Sequence, residues 1–489
     1  MVDAEKLQFR LVQEKGQGHP NEDSHWDWYS KRGHFSTTVE DWIMAISFER
    51  FRPRLLLMPR TSQNLLLFVA LCLVGLVRLA PHYNRTGSLP EGEEAVRVGR
   101  SLAFRGQFAN PFRTIDTGPS AHVSPGYPVF LAVLILAFGT GAWGLYMFQL
   151  AAAAALAMQL ALLPALSEAL GIGLWPGLLG CLIGLAAPMR TFPDWEASYA
   201  GLLAAMVTVF WLRVLNRDVG RPRDSWMLGI TAGLLLLTSA ATFAVLAVWA
   251  VYFVWTFRSN LQSRTRWAAL VIPIFMLLPW TIRNYIVFHR LVVFRSNLGL
   301  ELAVSNNDCA STGIRQNISS RCYIKLHPNW NLEEARTLRA LGEPQYNAIR
   351  LKQTVDWITR HPRRFTSLTL DRIVAFWFPF ERESPLQQLT LQGRRRERLI
   401  IYVMTILSVI GLVRLTRHNP LAGVSLLSWL LCFPLIYYIV QFEDRYRYPI
   451  MWVTLLTGSY ALCNVTHFLR AVSCQDVYGS DGQYNARHN

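Results

Sequence analysis

The chain has 489 residues, of which 52% are hydrophobic and only 16% are charged, and its formal net charge is +16. Soluble proteins carry roughly 25% charged residues, so this composition excludes an ordinary soluble protein. It predicts that much of the chain is embedded in lipid. A positive net charge is also typical of proteins that bind nucleic acid. Here the basic residues lie in short segments between apolar runs, as the positive-inside rule expects, and this excludes nucleic acid as a partner.

The polar N-terminal segment, residues 1–61, is predicted to be a cytoplasmic extension. No cleavable signal peptide is expected, because the first apolar run begins near Asn64, too late for the core of a signal. Arginines between positions 50 and 60 should hold this end inside the cell. The first span, from about 64 to 80, then carries the chain to the outer face.

The first outer loop is predicted to cover residues 81–142. Within it, Ala95–Gly106 has the apolar spacing of a short helix that lies on the membrane interface. The apolar stretch Gly126–Phe138 is too short to cross the bilayer, which needs about 20 residues, and is predicted to be interfacial or re-entrant. Three acids that precede the first short helix, Glu91, Glu93 and Glu94, are the principal carboxylates of this loop.

Nine further spans are predicted on hydropathy, which makes an all-α polytopic membrane protein with about ten transmembrane helices and a range of 10–13. They lie near 143–166, 172–189, 197–214, 226–238, 241–257, 267–288, 399–414, 420–440 and 448–469. Outer-face interfacial helices and a long outer loop complete the predicted architecture. The chain is expected in the cytoplasmic (inner) membrane of the cell, with both termini cytoplasmic and residues 471–489 forming a cytoplasmic tail.

The longest uncharged run, Trp226–Phe257, contains 32 residues without Asp, Glu, Lys, Arg or His. One helix of that length would measure about 48 Å, whereas the apolar core of a bilayer is about 30 Å thick. Arginines on both flanks favour the cytoplasm, so the run is predicted to be a helical hairpin that turns at Ser239–Thr242.

The second polar segment, residues 289–398, is predicted to form the long outer loop. It should contain an amphipathic helix after Pro344, and the stretch Phe365–Phe380 should pack near the interface. Cys309 and Cys322 both lie in this segment, where an oxidising compartment permits a disulfide. The alternative is two unpaired thiols. Closing this short loop would contribute about 3 kcal/mol in the chain-entropy account.

Several motifs occur in the order typical of one family of enzymes. They are EGEEAVRVGRSLAFRGQFANPF and TGPSAHVSPGYPVFLAVLILAFG within 91–139, PWTIRNYIVFHRLVVFRSNLGLELAVSNN at 279–307, HPNWNLEEARTLRALGEPQY at 327–346 and FEDRYRYP at 442–449. On these motifs the segment 62–470 resembles the bacterial membrane glycosyltransferases of the GT-C superfamily. It is similar to the protein O-mannosyltransferase and aminoarabinose transferase type, which take sugars from polyprenyl phosphate carriers. The resemblance does not cover the N-terminal extension.

The resemblance implies an active site at the outer face, with an acidic residue of the first outer loop assisting transfer. In the family pattern a Glu lies six residues before the Arg of the RSLA element, and here Glu94 precedes Arg100 by that distance. Glu94 is therefore the predicted catalytic base, and Glu91 is the next candidate. His122 stands where the family usually has an aromatic residue, and it is predicted to contact substrate.

Glycosyl transfer with inversion needs a carboxylate to accept a proton from the acceptor and cations to hold the phosphate leaving group. Arginine recognises phosphate through a planar fork of donors. Arginines predicted to contact the carrier phosphate are Arg283, Arg295, Arg445 and Arg447. Membrane anchoring is the alternative role for these arginines, because arginine is common at membrane interfaces.

Metal ligands do not stand out in the sequence. No cysteine or histidine spacing matches a known metal site, so no metal residue is predicted, although a divalent ion as cofactor is left open. His122 and His327 could bind metal or acceptor, but a surface or helix-capping role is favoured for both.

The sequence therefore predicts a membrane glycosyltransferase. It should move a hexosyl or pentosyl group from a polyprenyl-(di)phosphate donor to a lipid, glycan or protein acceptor of the cell envelope. Its expected partners are this donor, membrane lipids and an unknown acceptor. A transporter or lipid flippase of envelope polysaccharide assembly is the alternative, but no internal repeat is visible and the acids lie in an outer loop. A non-catalytic scaffold is a third possibility.

Overall fold

A computed structural model describes residues 60–187, 195–215, 221–257, 266–379 and 391–479 of the chain. These residues are predominantly helical and form no β-strand. Residues 64–489 cluster as one compact unit. The predicted extension 1–61 lies outside the described residues except for its last two positions, and the last ten residues of the predicted tail lie outside them too.

The described helices follow one another from the N-terminus in this order: α1 (Arg60–Leu79), α2 (Glu94–Arg105), α3 (Gly126–Phe138), α4 (Ala142–Ala161), α5 (Leu163–Ala169), α6 (Leu174–Ala186), α7 (Ala197–Leu215), α8 (Pro222–Thr238), α9 (Phe243–Phe257) and α10 (Ala268–Phe288). The second half contains α11 (Leu298–Ser305), α12 (Ile314–Ser319), α13 (Cys322–Leu326), α14 (Leu332–Leu341), α15 (Glu343–Arg360), α16 (Pro362–Trp377), α17 (Leu391–His418), α18 (Pro420–Cys432), α19 (Leu435–Ile439) and α20 (Tyr448–Gly479).

Seven helical segments among the described residues are long and apolar enough to cross a membrane, and they correspond to seven of the ten predicted spans. The other three predicted spans correspond to α6, α8 and α20. Helix α6 has 13 residues and α8 has 17, which is short for a crossing, whereas α20 continues for 32 residues. The chain is a multi-pass, all-α membrane protein, as the sequence predicts.

The predicted turn in the longest uncharged run is confirmed. Helix α8 ends at Thr238, Ser239 adopts an extended conformation, and a 3₁₀ turn at Ala240–Thr242 leads into α9. The Thr242 hydroxyl donates to the Ser239 carbonyl at 2.7 Å and stabilises the turn. The run is therefore two helices joined by a turn, not one helix that would be too long for the bilayer.

The two short helices predicted in the first outer loop are present as α2 and α3. Gly126, at the start of α3, lies against the end of α8, and a Cβ there would be 2.9 Å from the Leu237 carbonyl oxygen. Glycine therefore permits the close approach that joins the loop to the hairpin. A cluster of buried apolar side chains, which includes Val96, Leu131 and Trp280, packs this loop onto α10.

The second outer segment folds into six helices, α11 to α16, over its described part. The predicted disulfide between Cys309 and Cys322 is confirmed, with Cα atoms 5.7 Å apart. The fully buried Arg372 of α16 donates to the Asn306 side chain and to the Ser305 and Ile439 carbonyls. This arginine therefore links α16 to the end of α11 and to the end of α19.

Helix α11 is held close to α15, which matters for the site described next. A Cβ at Gly299 would overlap the backbone of Asn347, so only glycine allows this approach. The Asn347 side chain accepts from the Leu300 backbone N–H at 2.9 Å and donates to the Glu343 carbonyl. Apolar packing around Leu300 and Val304 completes the contact.

Candidate active site in a charged cavity

A cavity of about 970 Å³ lies between the two outer segments and the ends of the membrane helices. Its lining combines apolar side chains with charged side chains of both signs. The apolar residues include Ala240, Ala241, Phe243, Leu435, Ile436 and Ile439, and the charged residues include Glu94, Glu196, Glu301, Arg113, Arg295 and Arg445. This mixed lining suits an amphiphilic ligand better than a wholly polar one.

Glu94 is the first residue of α2, where the helix dipole favours a negative charge. Its side chain is buried but borders the cavity. The Glu94 Oε2 atom lies 3.0 Å from His122 Nε2, and Oε1 lies 3.5 Å from His327 Nε2. Both imidazoles are fully buried, so the surface role favoured from sequence for the two histidines is wrong. Aromatic packing, with Phe112 against His122 and Tyr323 stacked on His327, keeps them inside.

Opposing effects set the pKa of each member of this group. Burial raises the pKa of Glu94, but the charges of His122, His327 and Arg295 outweigh it and lower that pKa to about 2. Burial lowers the pKa of His122, yet the nearby Glu94 raises it above the ordinary 6.5. For His327 burial dominates, and its pKa falls to about 4. At neutral pH Glu94 is therefore a carboxylate beside a neutral His327, and its charge favours the protonated form of His122 more than an ordinary histidine site does.

Glu94, His122 and His327 each place one ligand atom within 4.8 Å of the others, and one carboxylate with two imidazoles is a set that zinc takes. However, the Asn329 backbone N–H donates to His327 Nδ1 at 3.1 Å, so in the neutral ring the proton lies on Nε2. A metal-bound histidine has the opposite arrangement, because its second nitrogen donates. These three residues therefore do not fit a metal in this arrangement.

Two of the predicted phosphate-binding arginines border the cavity. The Arg295 Nε atom donates to the His122 carbonyl at 3.0 Å, and its guanidinium lies 3.7 Å from the Glu196 carboxylate. Arg445 pairs with Glu443, and its guanidinium carbon is 3.5 Å from the centre of the Trp195 ring. The buried Nε of Arg445 has no hydrogen-bond partner among the described residues. An anionic ligand would satisfy this donor.

The other two predicted arginines do not line this cavity. Arg283 donates to the Ser120 and Phe108 carbonyls at 2.8 Å each, so it fastens the first outer loop to α10. Arg447 is buried and donates to the Trp377 carbonyl and the Thr405 hydroxyl. Burial lowers the pKa of Arg447 to about 9. The terminal nitrogens of both arginines thus donate to the protein itself, while the buried Nε of Arg447 has no hydrogen-bond partner among the described residues.

Glu91, the second candidate base, also lies outside the cavity wall. Its side chain is 73% exposed and accepts from Arg100 at 2.7 Å. It lies only three positions before Glu94, but Glu91 precedes the helix while Glu94 begins it. The structure therefore separates two carboxylates that are nearly equivalent in sequence. His122, the remaining predicted substrate contact, reaches the cavity only through Glu94 and Arg295.

The loop that carries His122 is fixed by a buried carboxylate from the second outer segment. Glu343, at the first position of α15, accepts from the Ser120 hydroxyl at 2.6 Å and the Ala121 backbone N–H at 2.7 Å. The Ser296 hydroxyl donates to the same carboxylate. Because the bonds from Ser120 and Ala121 join residues more than 200 positions apart, local sequence patterns do not reveal them.

The cavity residues that were not predicted from the sequence include Glu196, Glu301, Arg113 and Trp330. Glu301 lies inside the quoted motif at 279–307, so the resemblance offered a signal that was not used. Trp330 stacks on the Arg113 guanidinium, whose carbon is 3.4 Å from the ring centre, although the two residues come from different outer segments. Only the fold brings that pair together.

Neither a protein-family model nor a curated protein sequence matches the chain. Among solved structures, the chain is similar to the oligosaccharyltransferase AglB from Archaeoglobus fulgidus, determined in complex with an inhibitory peptide and a dolichol-phosphate. The TM-score is 0.50 at 14% identity, and the match covers 88% of this chain and 53% of that chain. The chain therefore shares its fold with this oligosaccharyltransferase.

The chain spans about half the length of that oligosaccharyltransferase. A second structure of the Archaeoglobus fulgidus oligosaccharyltransferase, complexed with Zn and sulfate, matches at 12% identity and a TM-score of 0.48, over 86% of this chain and 51% of that one. ArnT from Cupriavidus metallidurans, bound to undecaprenyl phosphate, matches at 13% identity and a TM-score of 0.35, over 83% of this chain and 78% of that one.

Proposed function

We propose that this protein is a glycosyltransferase that takes a sugar from a lipid-phosphate carrier at the outer face of the cytoplasmic membrane. The observation that carries the proposal is the mixed lining of the cavity. Its apolar residues come from the turn between α8 and α9 and from α19, and its charged residues include Glu94, Arg295 and Arg445. A prenyl chain suits the apolar residues and a sugar phosphate suits the charged ones.

Three large apolar side chains that border the cavity are also exposed at the protein surface. Phe243 is 50% exposed, Leu298 is 44% exposed and Leu435 is 55% exposed, and all three border the cavity. Large apolar side chains that are exposed together mark a lipid or ligand contact. A polyprenyl chain would lie along these residues and bring its phosphate toward Arg295 and Arg445.

The two cavity arginines would bind the carrier phosphate and stabilise it as it leaves. Forked guanidinium donors match phosphate oxygens, and charge-assisted hydrogen bonds of this kind are about twice as strong as neutral ones. Arg445 is held against the Trp195 ring and Glu443, so its orientation is set before substrate binds. Pre-set donors favour the transition state because they need no reorganisation as charge develops.

Glu94 would serve as a fixed negative charge beside the reacting carbon. As the bond to phosphate lengthens, the sugar ring gains positive charge, which a carboxylate stabilises. With a pKa of about 2, Glu94 stays ionised throughout. The same low pKa makes it a weak proton acceptor, because an efficient general base has a pKa near the working pH.

The orientation of the chain is part of the proposal, and the Cys309–Cys322 disulfide supports placing the second outer segment in an oxidising compartment. We expect a cysteine at exposed Arg339 to react with a membrane-impermeant maleimide in intact cells, whereas a cysteine at exposed Arg223 reacts only after lysis. The parent for both variants has its free cysteines replaced. Labelling in the reverse order would place the cavity on the cytoplasmic side and contradict the proposal.

The activity itself can be tested with purified protein in lipid nanodiscs. A panel of synthetic prenyl-phosphoryl hexoses and pentoses is supplied as donor, with a cell-envelope extract as acceptor. We expect release of prenyl phosphate from at least one donor, in step with transfer of its sugar. If the protein releases prenyl phosphate from none of them and also fails to bind undecaprenyl phosphate, the proposal is wrong.

A further inference from the structure

A second carboxylate borders the cavity close to Glu94. Glu301 lies in the first turn of α11, and the Asn297 side chain donates to its Oε1 atom at 3.2 Å. No described residue donates a hydrogen bond to its Oε2 atom, which leaves that oxygen for a ligand in the cavity. The packing of Gly299 against Asn347 fixes α11 at this place.

The charged and titratable groups that face Glu301 come from both outer segments and from the turn before α20. They are Glu94, His122, Arg295, Arg445, Tyr323 and Tyr446. The two arginines are the same ones that would hold the carrier phosphate. Glu301 therefore shares one electrostatic environment with the phosphate site and with Glu94.

The two carboxylates differ in what their oxygen atoms contact. The Glu94 Oε2 atom is hydrogen-bonded to His122 Nε2 at 3.0 Å, and Oε1 lies 3.5 Å from His327 Nε2, so two imidazoles stabilise the ionised form of Glu94 and make it a weak proton acceptor. Glu301 has one oxygen held by a neutral amide and the other unoccupied by the described residues. Pairs of carboxylates in unlike environments often divide the acid–base roles of an active site.

We propose that Glu301, and not Glu94, is the general base that takes the proton from the acceptor hydroxyl. This inference rests on the proposed glycosyl transfer. The acceptor oxygen attacks the anomeric carbon and forms the new C–O bond, while its proton passes to Glu301. The bond between the anomeric carbon and the phosphate oxygen breaks, and its electron pair leaves with the carrier phosphate, held by Arg295 and Arg445.

The protonation behaviour of Glu301 agrees with this role. Burial raises its pKa above the ordinary 4.5, and Glu94 raises it further, while His122, Arg295 and Arg445 oppose the rise. The ionised form is the active base, so activity is present above this pKa and is lost as the pH falls through it. The acid limb of the pH–rate profile should therefore lie above pH 4.5.

The experiment compares Glu301→Gln, Glu301→Asp and the surface control Glu333→Gln, whose carboxylate is 77% exposed and pairs with Arg336. Turnover is measured against pH with a prenyl-phosphoryl sugar that the parent protein uses, and binding is measured with undecaprenyl phosphate alone. We expect Glu301→Gln to bind undecaprenyl phosphate like the parent, to lose about 10²–10⁴-fold in turnover and to lose the acid limb. Glu333→Gln should match the parent in all respects.

Turnover of Glu301→Gln within about threefold of the parent, with the same acid limb, would overturn the assignment of the base alone. If Glu301→Gln does not insert or bind, Glu301→Asp decides the matter. A lower turnover of Glu301→Asp with a shifted acid limb supports Glu301 as the general base. An unchanged turnover and an unchanged acid limb overturn that assignment. Failure of the parent protein to bind undecaprenyl phosphate and to use any donor overturns the proposed function, and this inference with it.

Discussion

Replacement of Glu94 by Gln is expected to lower turnover by about 10²–10³-fold, the cost typical of losing one preorganised electrostatic contact to a transition state. The amide keeps the size of the side chain but removes the negative charge that faces the cavity. It also leaves His122 without its carboxylate partner. Because the carrier phosphate is held elsewhere, binding of undecaprenyl phosphate should change little. Turnover and binding are measured on the same purified variant.

The matched control for this variant is Glu91→Gln. The substitution is chemically identical and lies three residues away, but Glu91 is exposed and pairs with Arg100 outside the cavity wall. Its turnover should equal that of the parent protein. The opposite pattern, with Glu91→Gln inactive and Glu94→Gln active, would move the catalytic carboxylate out of the cavity and overturn the site described above.

Replacement of either cavity arginine by Lys, in the variants Arg295→Lys and Arg445→Lys, should weaken binding of undecaprenyl phosphate by about 10–100-fold. Lysine keeps the charge but loses the planar fork, and a hydrogen bond to a charged group contributes about 1.5–3 kcal/mol. Arg445→Lys also loses the stacking on the Trp195 ring. Binding can be followed by native mass spectrometry of the protein in nanodiscs at increasing lipid concentration.

Arg283→Lys and Arg447→Lys serve as matched controls because these arginines donate to protein carbonyls and do not line the cavity. We expect them to lower the thermal stability of the protein while the Kd for undecaprenyl phosphate stays close to that of the parent. Equal loss of affinity in all four Lys variants would mean that the effect is one of global stability, and the phosphate site would have to be sought elsewhere.

The sequence by itself determined the class of fold. A helix that crosses the bilayer must contain about 20 apolar residues, and this requirement is local, so it can be counted along the chain. The same counting placed the α8–α9 turn at Ser239–Thr242, because a single helix would exceed the bilayer. The Cys309–Cys322 bond was also predictable, since two cysteines in one short polar segment lie near each other whatever the rest of the chain does.

Hydropathy was less informative about where helices of intermediate length belong. Helices α6 and α8 are apolar but have only 13 and 17 residues. The start of α6 is set by Gly173, which has a positive φ of 81°. Such a break depends on one residue, whereas an average over a long window does not register it.

Only the tertiary structure decided which charged residues share the cavity. Glu91 and Glu94 are alike in composition and position, yet one is solvent-exposed and the other is buried between two histidines. Arg445 and Arg447 are two residues apart in DRYRYP, but the first faces the cavity and the second donates to the Trp377 carbonyl.

The physical reason is the range of the interactions involved. Membrane helices satisfy their own backbone hydrogen bonds, so local composition is enough to specify them. The direction of a charged side chain depends instead on the partners that satisfy it, and these come from distant parts of the chain. His122 and Glu94 are 28 residues apart, and the bond from Ser120 to Glu343 joins residues 223 apart. No local pattern contains these contacts, so they are fixed only when the two outer segments pack together.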